Sequence, residues 1–101
     1  MWLLVMFDLP VTTKLDRRRY GQFRKSLLEN GFFALQYSVY ARPCPSEENL
    51  EVHRNRVHRA LPPRGGVRIM TFTDKQFARS EVYYGKTKGQ SEEMPDQLTL
   101  F

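Results

Sequence analysis

The carboxylate of Asp8 is the side chain best placed by the sequence to do chemistry. It directly follows the unbroken apolar run at residues 2–7, which is typical of a strand buried on both faces. A carboxylate at the exit of such a rigid element can hold Mg²⁺, which activates water and clamps a phosphate. Mg²⁺ usually takes one or two carboxylates, and a two-fold axis beside Asp8 would supply the second. On spacing alone, a turn aspartate bonded to the backbone of Leu9 and Pro10 is the more common arrangement.

Basic side chains lie close to Asp8 in the sequence, around the expected start of the first helix. They are Lys14, Arg17, Arg18 and Arg19, and Arg42 adds a cation further along the chain. Cations near a helix N-terminus can form a phosphate-binding surface. A single arginine is more often a solvated surface charge. For the group as a whole, contact with nucleic acid and a solvated surface are equally good interpretations.

The two histidines are further candidates for metal ligands or catalytic bases. His53 and His58 stand five residues apart, which separates them by roughly 140° around a helix. They therefore do not share a face, as a metal-binding pair at i and i+4 would. We expect both at the surface, near the C-terminal end of a second helix.

Several tyrosines could stack on nucleic-acid bases. They are Tyr37, Tyr40, Tyr83 and Tyr84. The strand expected from residue 66 lacks the Gly-flanked aromatic signature of an RNA-recognition motif. Packing in the core or in a dimer interface is therefore the preferred interpretation.

The charge is concentrated in the first three quarters of the chain. Of 101 residues, 16 are basic and 11 acidic, giving a net charge of +5. Residues 1–73 hold 12 basic and 6 acidic side chains, a balance of +6, and residues 74–101 hold 4 and 5, a balance of −1. A basic body favours nucleic acid first and an anionic membrane second, with a solubilising surface as the plainer alternative.

The rest of the composition narrows the setting. No apolar run approaches the ~20 residues of a membrane span, so we expect no membrane insertion and a cytoplasmic protein. Cys44 is the single cysteine, which excludes an intrachain disulfide and a cysteine metal knuckle.

Hydrophobic spacing, together with the residues that cap or interrupt helices and strands, predicts the elements in order. They are a strand to Asp8, a helix over 14–30 capped by Thr12 or Thr13, strand material over 32–42, a helix capped by Ser46, a strand over 66–73, one helical turn from a capping Asp74 to Ala78, and a short strand over 81–84. The material over 32–42 is either one bent strand or two short ones that reverse near Gln36. A polar linker over 85–95 and an apolar end that docks, often as an edge strand, complete the chain.

Strands that alternate with helices in this way suggest split βαβ units, the ferredoxin-like α+β pattern βαββαβ. One face of the sheet would carry both helices, and dimerisation is the simplest way to cover the other. We therefore expect a single domain, with a ferredoxin-like body over 1–84 and a linker with a C-terminal docking strand over 85–101.

Four segments, in the right order, carry a family resemblance that covers about residues 2–84. They are LVMFDLP at 4–10, FRKSLL with the following NGF at 23–32, QYSVY at 36–40 and TDKQF at 73–77. The chain resembles the CRISPR-associated protein two family, the small spacer-acquisition protein, and the last segment is similar to the form found in type II systems.

The resemblance implies a ferredoxin-like homodimer in which Asp8 of each subunit faces the dimer axis and can bind Mg²⁺. It also implies an assembly with the CRISPR integrase, in which one dimer bridges two integrase dimers and holds duplex DNA. Members are described as metal-dependent endonucleases on RNA or DNA. Lys14, Arg17, Arg18, Arg19 and Arg42 would then face the DNA backbone without reading its sequence.

Four hypotheses stand at this point. The first is a DNA scaffold in spacer integration, and the second is a Mg²⁺-dependent endonuclease that uses paired Asp8. The third is a stand-alone, toxin-type, metal-dependent ribonuclease of similar fold. The fourth is a ferredoxin-like dimer that senses a small molecule, against which the arginines argue mildly.

Overall fold

A four-stranded antiparallel sheet organises the chain in the computed structural model, which describes residues 1–92. The elements are, in chain order, β1 (Trp2–Asp8), α1 (Lys14–Glu29), β2 (Phe33–Gln36), β3 (Val39–Pro43), α2 (Glu47–Arg59), β4 (Gly66–Phe72), α3 (Asp74–Ala78), β5 (Tyr83–Tyr84) and β6 (Thr87–Lys88). The strand order β2-β3-β1-β4 places the apolar β1 in the centre. This is the predicted ferredoxin-like arrangement, in which β3 lies between β1 and β2.

The two faces of the sheet differ because side chains alternate along β1. One set, Leu3, Val5 and Phe7, joins the main core with Phe23 and Leu27 of α1 and Leu50 and Val57 of α2. The alternate set begins with Trp2, which stacks on Phe77 of α3 with ring centroids 3.9 Å apart. The long helices therefore cover one face, and α3 covers one end of the other.

Local capping sets where the helices begin. Thr13 caps α1: its hydroxyl accepts from the Asp16 N–H at 3.0 Å, and its own N–H donates to the Asp16 carboxylate at 3.2 Å. Ser46 caps α2 as predicted. The cap of α3 is Thr73, whose box with Gln76 makes Asp74 the first helical residue instead of the predicted cap. Within residues 1–92, none of the helices is long and apolar enough to cross a membrane.

The segment over 32–42 forms two strands that reverse through Tyr37 and Ser38. Gln36 pairs with Val39 across the turn, and Ser38 takes a positive φ of 60°. The structure thereby decides between the two predicted alternatives. It does so through a non-glycine residue in the left-handed region, which ordinary turn statistics disfavour.

The end of the described chain forms a small hairpin. Tyr83 pairs with Lys88 and Tyr84 with Thr87, and Gly85 supplies a φ of 64° in the two-residue turn. This hairpin runs across the expected boundary at residue 84 and takes in part of the expected linker. The docking strand expected at 96–101 lies outside the described residues.

Candidate metal and nucleic-acid site

Asp8 is the last residue of β1, opposite Gly66 of β4. Because Phe7 belongs to the helix-side core, the alternation of the strand places Asp8 on the other face, with Leu4 and Met6. Its side chain is exposed. The carboxylate thus stands at the rim of the sheet face that α1 and α2 leave uncovered.

The backbone beside Asp8 is held by a close approach that requires glycine. Gly65 has a φ of 95°, and a Cβ placed there would lie 2.8 Å from the Asp8 carbonyl oxygen and 2.7 Å from the Leu9 side chain. Gly66, by contrast, has open space at that position. Gly65 therefore lets the loop before β4 close against the end of β1.

An open groove of about 390 Å³ runs along Asp8. Its walls include Met6, Tyr37, Val39 and Arg68. Arg68 pairs with Met6 across the strands and therefore shares the Asp8 face. The groove thus combines one acidic side chain, one basic side chain and apolar walls.

The Asp8 carboxylate is free to take a cation. Within residues 1–92 it takes part in no ion pair and no side-chain hydrogen bond. The turn-aspartate arrangement with the Leu9 and Pro10 backbone therefore does not form. An exposed, unengaged carboxylate fits Mg²⁺, which keeps several waters and needs few protein ligands. The part of the chain that the structure describes holds no group of three or more His, Cys, Asp or Glu side chains placed to bind a metal.

Tyr37 reaches the same groove from the β2–β3 turn, which is fixed from two sides. The Phe7 N–H donates to the Ser38 carbonyl at 3.0 Å, and the Ser38 and Tyr20 hydroxyls are hydrogen-bonded at 3.0 Å. The Tyr37 ring stacks on that of Tyr20 with centroids 6.4 Å apart. Interaction with the Tyr20 phenol raises the pKa of Tyr37.

The predicted basic residues of α1 differ in exposure and in hydrogen bonding. Lys14, Arg17 and Arg18 are exposed, and Arg17 donates to the carbonyls of Val11 and Thr12 at 3.2 Å each. Arg19 is half-buried. The group lies in the first two turns of the helix, one short loop after Asp8.

Arg42 lies apart from these residues. It pairs with Leu3 in the sheet, five residues from Asp8 along β1 or roughly 16 Å, and it is half-buried. Its guanidinium packs where a side chain at Gly31 would stand. Burial lowers the pKa of Arg42. The structure does not bring Arg42 together with Asp8.

The expectation that both histidines lie at the surface is wrong for His53. Its side chain is only 6% exposed, and no hydrogen-bond partner within residues 1–92 reaches its Nδ1. Burial, then the charges of Arg42 and Arg56, lower the pKa of His53 to about 4. The missed signal is its spacing of three from Leu50 and four from Val57, which puts it on the buried stripe of α2.

Fold and site together define a class: a ferredoxin-like α+β domain with an exposed aspartate at the end of its central strand. The family described as CRISPR associated protein Cas2 matches residues 1–80. The chain therefore belongs to the Cas2 family of CRISPR-associated proteins.

Individual relatives extend the similarity over the whole chain. It is 50% identical over 101 residues to the CRISPR-associated endoribonuclease Cas2 of Parvibaculum lavamentivorans, with 100% of both chains covered. It is 45% identical over 101 residues to the protein of that name from Flavobacterium psychrophilum, covering 100% of this chain and 88% of the relative. The corresponding protein of Lacticaseibacillus rhamnosus is 35% identical over 100 residues, with 99% of each covered.

Proposed function

We propose that this chain is a cytoplasmic CRISPR adaptation protein that acts as a homodimer. In this proposal the dimer binds duplex DNA and bridges two dimers of the CRISPR integrase, and it thereby supports the integration of new spacers. Membership of the Cas2 family supports the CRISPR role. The observation that carries the proposal is the sheet face beside Asp8, most of which residues 1–92 leave uncovered.

That face is apolar at its centre. Leu4, Met6 and Val39 are half-buried, and Met70 is 37% exposed. Cross-strand pairs bring them together, with Leu4 opposite Met70 and Met6 opposite Val39. A second copy would remove this surface from water, and isologous two-fold contacts are the commonest way to do so. The two Asp8 carboxylates would then approach each other across the axis.

Charge supports the choice of DNA as the partner. Residues 1–73 carry a balance of +6, from 12 basic and 6 acidic side chains, and two subunits double that charge. Lys14, Arg17, Arg18 and Arg19 would contact phosphates, and such contacts position a duplex without reading its sequence. Arg42 remains a proposed phosphate contact, although it lies near the start of β1 and Asp8 lies at its end.

Duplex binding is tested by the salt dependence of the affinity. The slope of log K against log salt loses about 0.9 for each phosphate contact removed. We expect Arg18→Ala to lower the slope by that amount. Arg54→Ala is the matched control, because Arg54 is paired with Glu51 at 2.6 Å on α2. Duplex affinity that is independent of salt would contradict the scaffold role.

A second function is favoured by the names of the relatives, which are called endoribonucleases. Here Asp8 of each subunit would hold Mg²⁺, while the basic residues of α1 bind the phosphates of RNA or DNA. When bound, Mg²⁺ supplies a water of lowered pKa and neutralises charge on the phosphate. The free Asp8 carboxylate is this chain's contribution to such a site.

Asp8→Asn separates catalysis from folding, because it keeps the size of the side chain and removes its charge. We expect it to abolish Mg²⁺-dependent cleavage of RNA or DNA while leaving the melting temperature unchanged. Equal cleavage by both proteins would mean that a contaminant does the cutting. Toxicity on expression of the chain without any integrase would instead favour the toxin-type ribonuclease.

A further inference from the structure

One aromatic side chain, Tyr37, stacks on Tyr20 yet leaves most of its surface open to solvent. Tyr37 is 85% exposed, although its turn is held on both sides by hydrogen bonds from Phe7 and Tyr20. Ser38 accepts a left-handed φ of 60° in that turn, a conformation that is uncommon for a non-glycine residue. The fold therefore holds an exposed ring in a fixed place.

That place lies between two grooves. On one side Tyr37 lines the groove of Asp8 and Arg68. On the other it lines a second groove of about 450 Å³ with Tyr20 and Arg24. Tyr37 therefore forms part of the wall of both grooves.

Arg24 is anchored beside that ring. Its Nε donates to the buried Tyr40 hydroxyl at 2.9 Å, which fixes the guanidinium plane and leaves four N–H donors. Such an arginine is suited to a phosphate, and a tyrosine ring already backed by Tyr20 is suited to a base, because every base has a flat π-face. The ring, the cation and the groove together provide what is needed to bind the base and the phosphate of one nucleotide.

We propose that Tyr37, Tyr20 and Arg24 form a subsite for a single unpaired nucleotide in the second groove, which shares no wall residue with the apolar face proposed as the dimer interface. The base stacks on Tyr37, and its phosphate contacts Arg24. A base inside a duplex is already stacked on its neighbours and cannot lie on Tyr37. The subsite therefore selects single-stranded or frayed nucleic acid. This inference rests on the proposed contact of Asp8 with nucleic acid and names the form of nucleic acid that it takes.

The test uses the full chain, EDTA to prevent cleavage, and an eight-nucleotide single-stranded RNA with one 2-aminopurine. Stacking on Tyr37 should quench the 2-aminopurine fluorescence. Loss of one base–aromatic stack lowers affinity roughly 5- to 150-fold. We expect that loss and no quenching with Tyr37→Ala, and near-wild-type behaviour with Tyr37→Phe. Tyr84→Ala is the control, since Tyr84 is 71% exposed and lines neither groove.

Further outcomes overturn the subsite. It is wrong if Tyr37→Ala leaves single-strand affinity unchanged, or weakens single strands and a 20-base-pair duplex equally. It is also wrong if Tyr37→Ala shifts the oligomeric state in sedimentation, because the ring would then pack against a second copy. Duplex binding without 2-aminopurine quenching would contradict the subsite but not the scaffold function. Quenching without duplex binding would contradict the scaffold function but not the subsite.

Discussion

Acidification should destabilise the fold through His53. The imidazole lies on the buried stripe of α2 and is only 6% exposed. Arg42 on β3 and Arg56 on α2 both lower its pKa, after burial itself. A proton on His53 would place a third cation among these two, so the folded chain holds the neutral imidazole.

The size of the effect follows from the two pKa values. His53 falls from 6.5 to about 4 on folding, so the unfolded chain binds more protons between these values, and stability is lost as pH falls through that window. Linkage gives a loss of about 2 kcal/mol in the free energy of unfolding between pH 7 and pH 5. For a 101-residue domain that lowers the melting temperature by roughly 8 °C or more.

Urea unfolding at pH 7 and pH 5 measures this loss directly. The His53→Gln variant cannot take up the proton, so its free energy of unfolding should change by about 2 kcal/mol less than that of the wild type over the same range. His58→Gln is the matched control, because His58 is exposed on the same helix. It should keep the wild-type pH dependence.

An NMR titration covers the case in which His53→Gln does not fold. It follows the His53 ring protons in the wild-type protein. A midpoint near 4 is expected. A midpoint at 6 or above would refute the burial argument, as would a pH dependence that His53→Gln leaves intact.

Three further predictions concern stability and assembly. Gly65→Ala should cost about 1–3 kcal/mol in chemical unfolding, because of the positive φ and the contact with the Asp8 backbone, whereas Gly66→Ala should cost far less. Thr13→Ala removes the cap of α1 and should cost about 1 kcal/mol, while Thr12→Ala should be close to neutral in the same assay. Met70→Glu should shift sedimentation from dimer to monomer, and a mutant that remains dimeric would exclude the open face as the interface.

Much of the fold can be predicted from local signals in the sequence. The apolar run before Asp8 and the caps at Thr13 and Ser46 each act within a few residues, so their effects can be predicted without knowing the tertiary structure. The ferredoxin-like order then follows from the alternation of strands and helices. The placement of Asp8 at the end of β1 rests on the same local pattern.

Non-local packing decided what the sequence could not. The spacing of His53 from Leu50 and Val57 places it on the apolar stripe of α2, but the packing of that helix against the sheet decides that a polar side chain there is buried. Tyr37 does not pack in the core, because the turn at Ser38 leaves its side chain 85% exposed, and packing in a dimer interface stays a prediction. Arg42 was grouped with the cations of α1, but the register of β3 with β1 puts it at the far end of the sheet.

An in vitro spacer-integration assay with the cognate integrase is the decisive test of the proposed role in adaptation. We expect integration to depend on this chain, and Asp8→Asn to support integration while losing any Mg²⁺-dependent cleavage. The protein and the integrase should also elute together, with two copies of this chain for every four of the integrase. Equal integration with and without the chain would contradict the account.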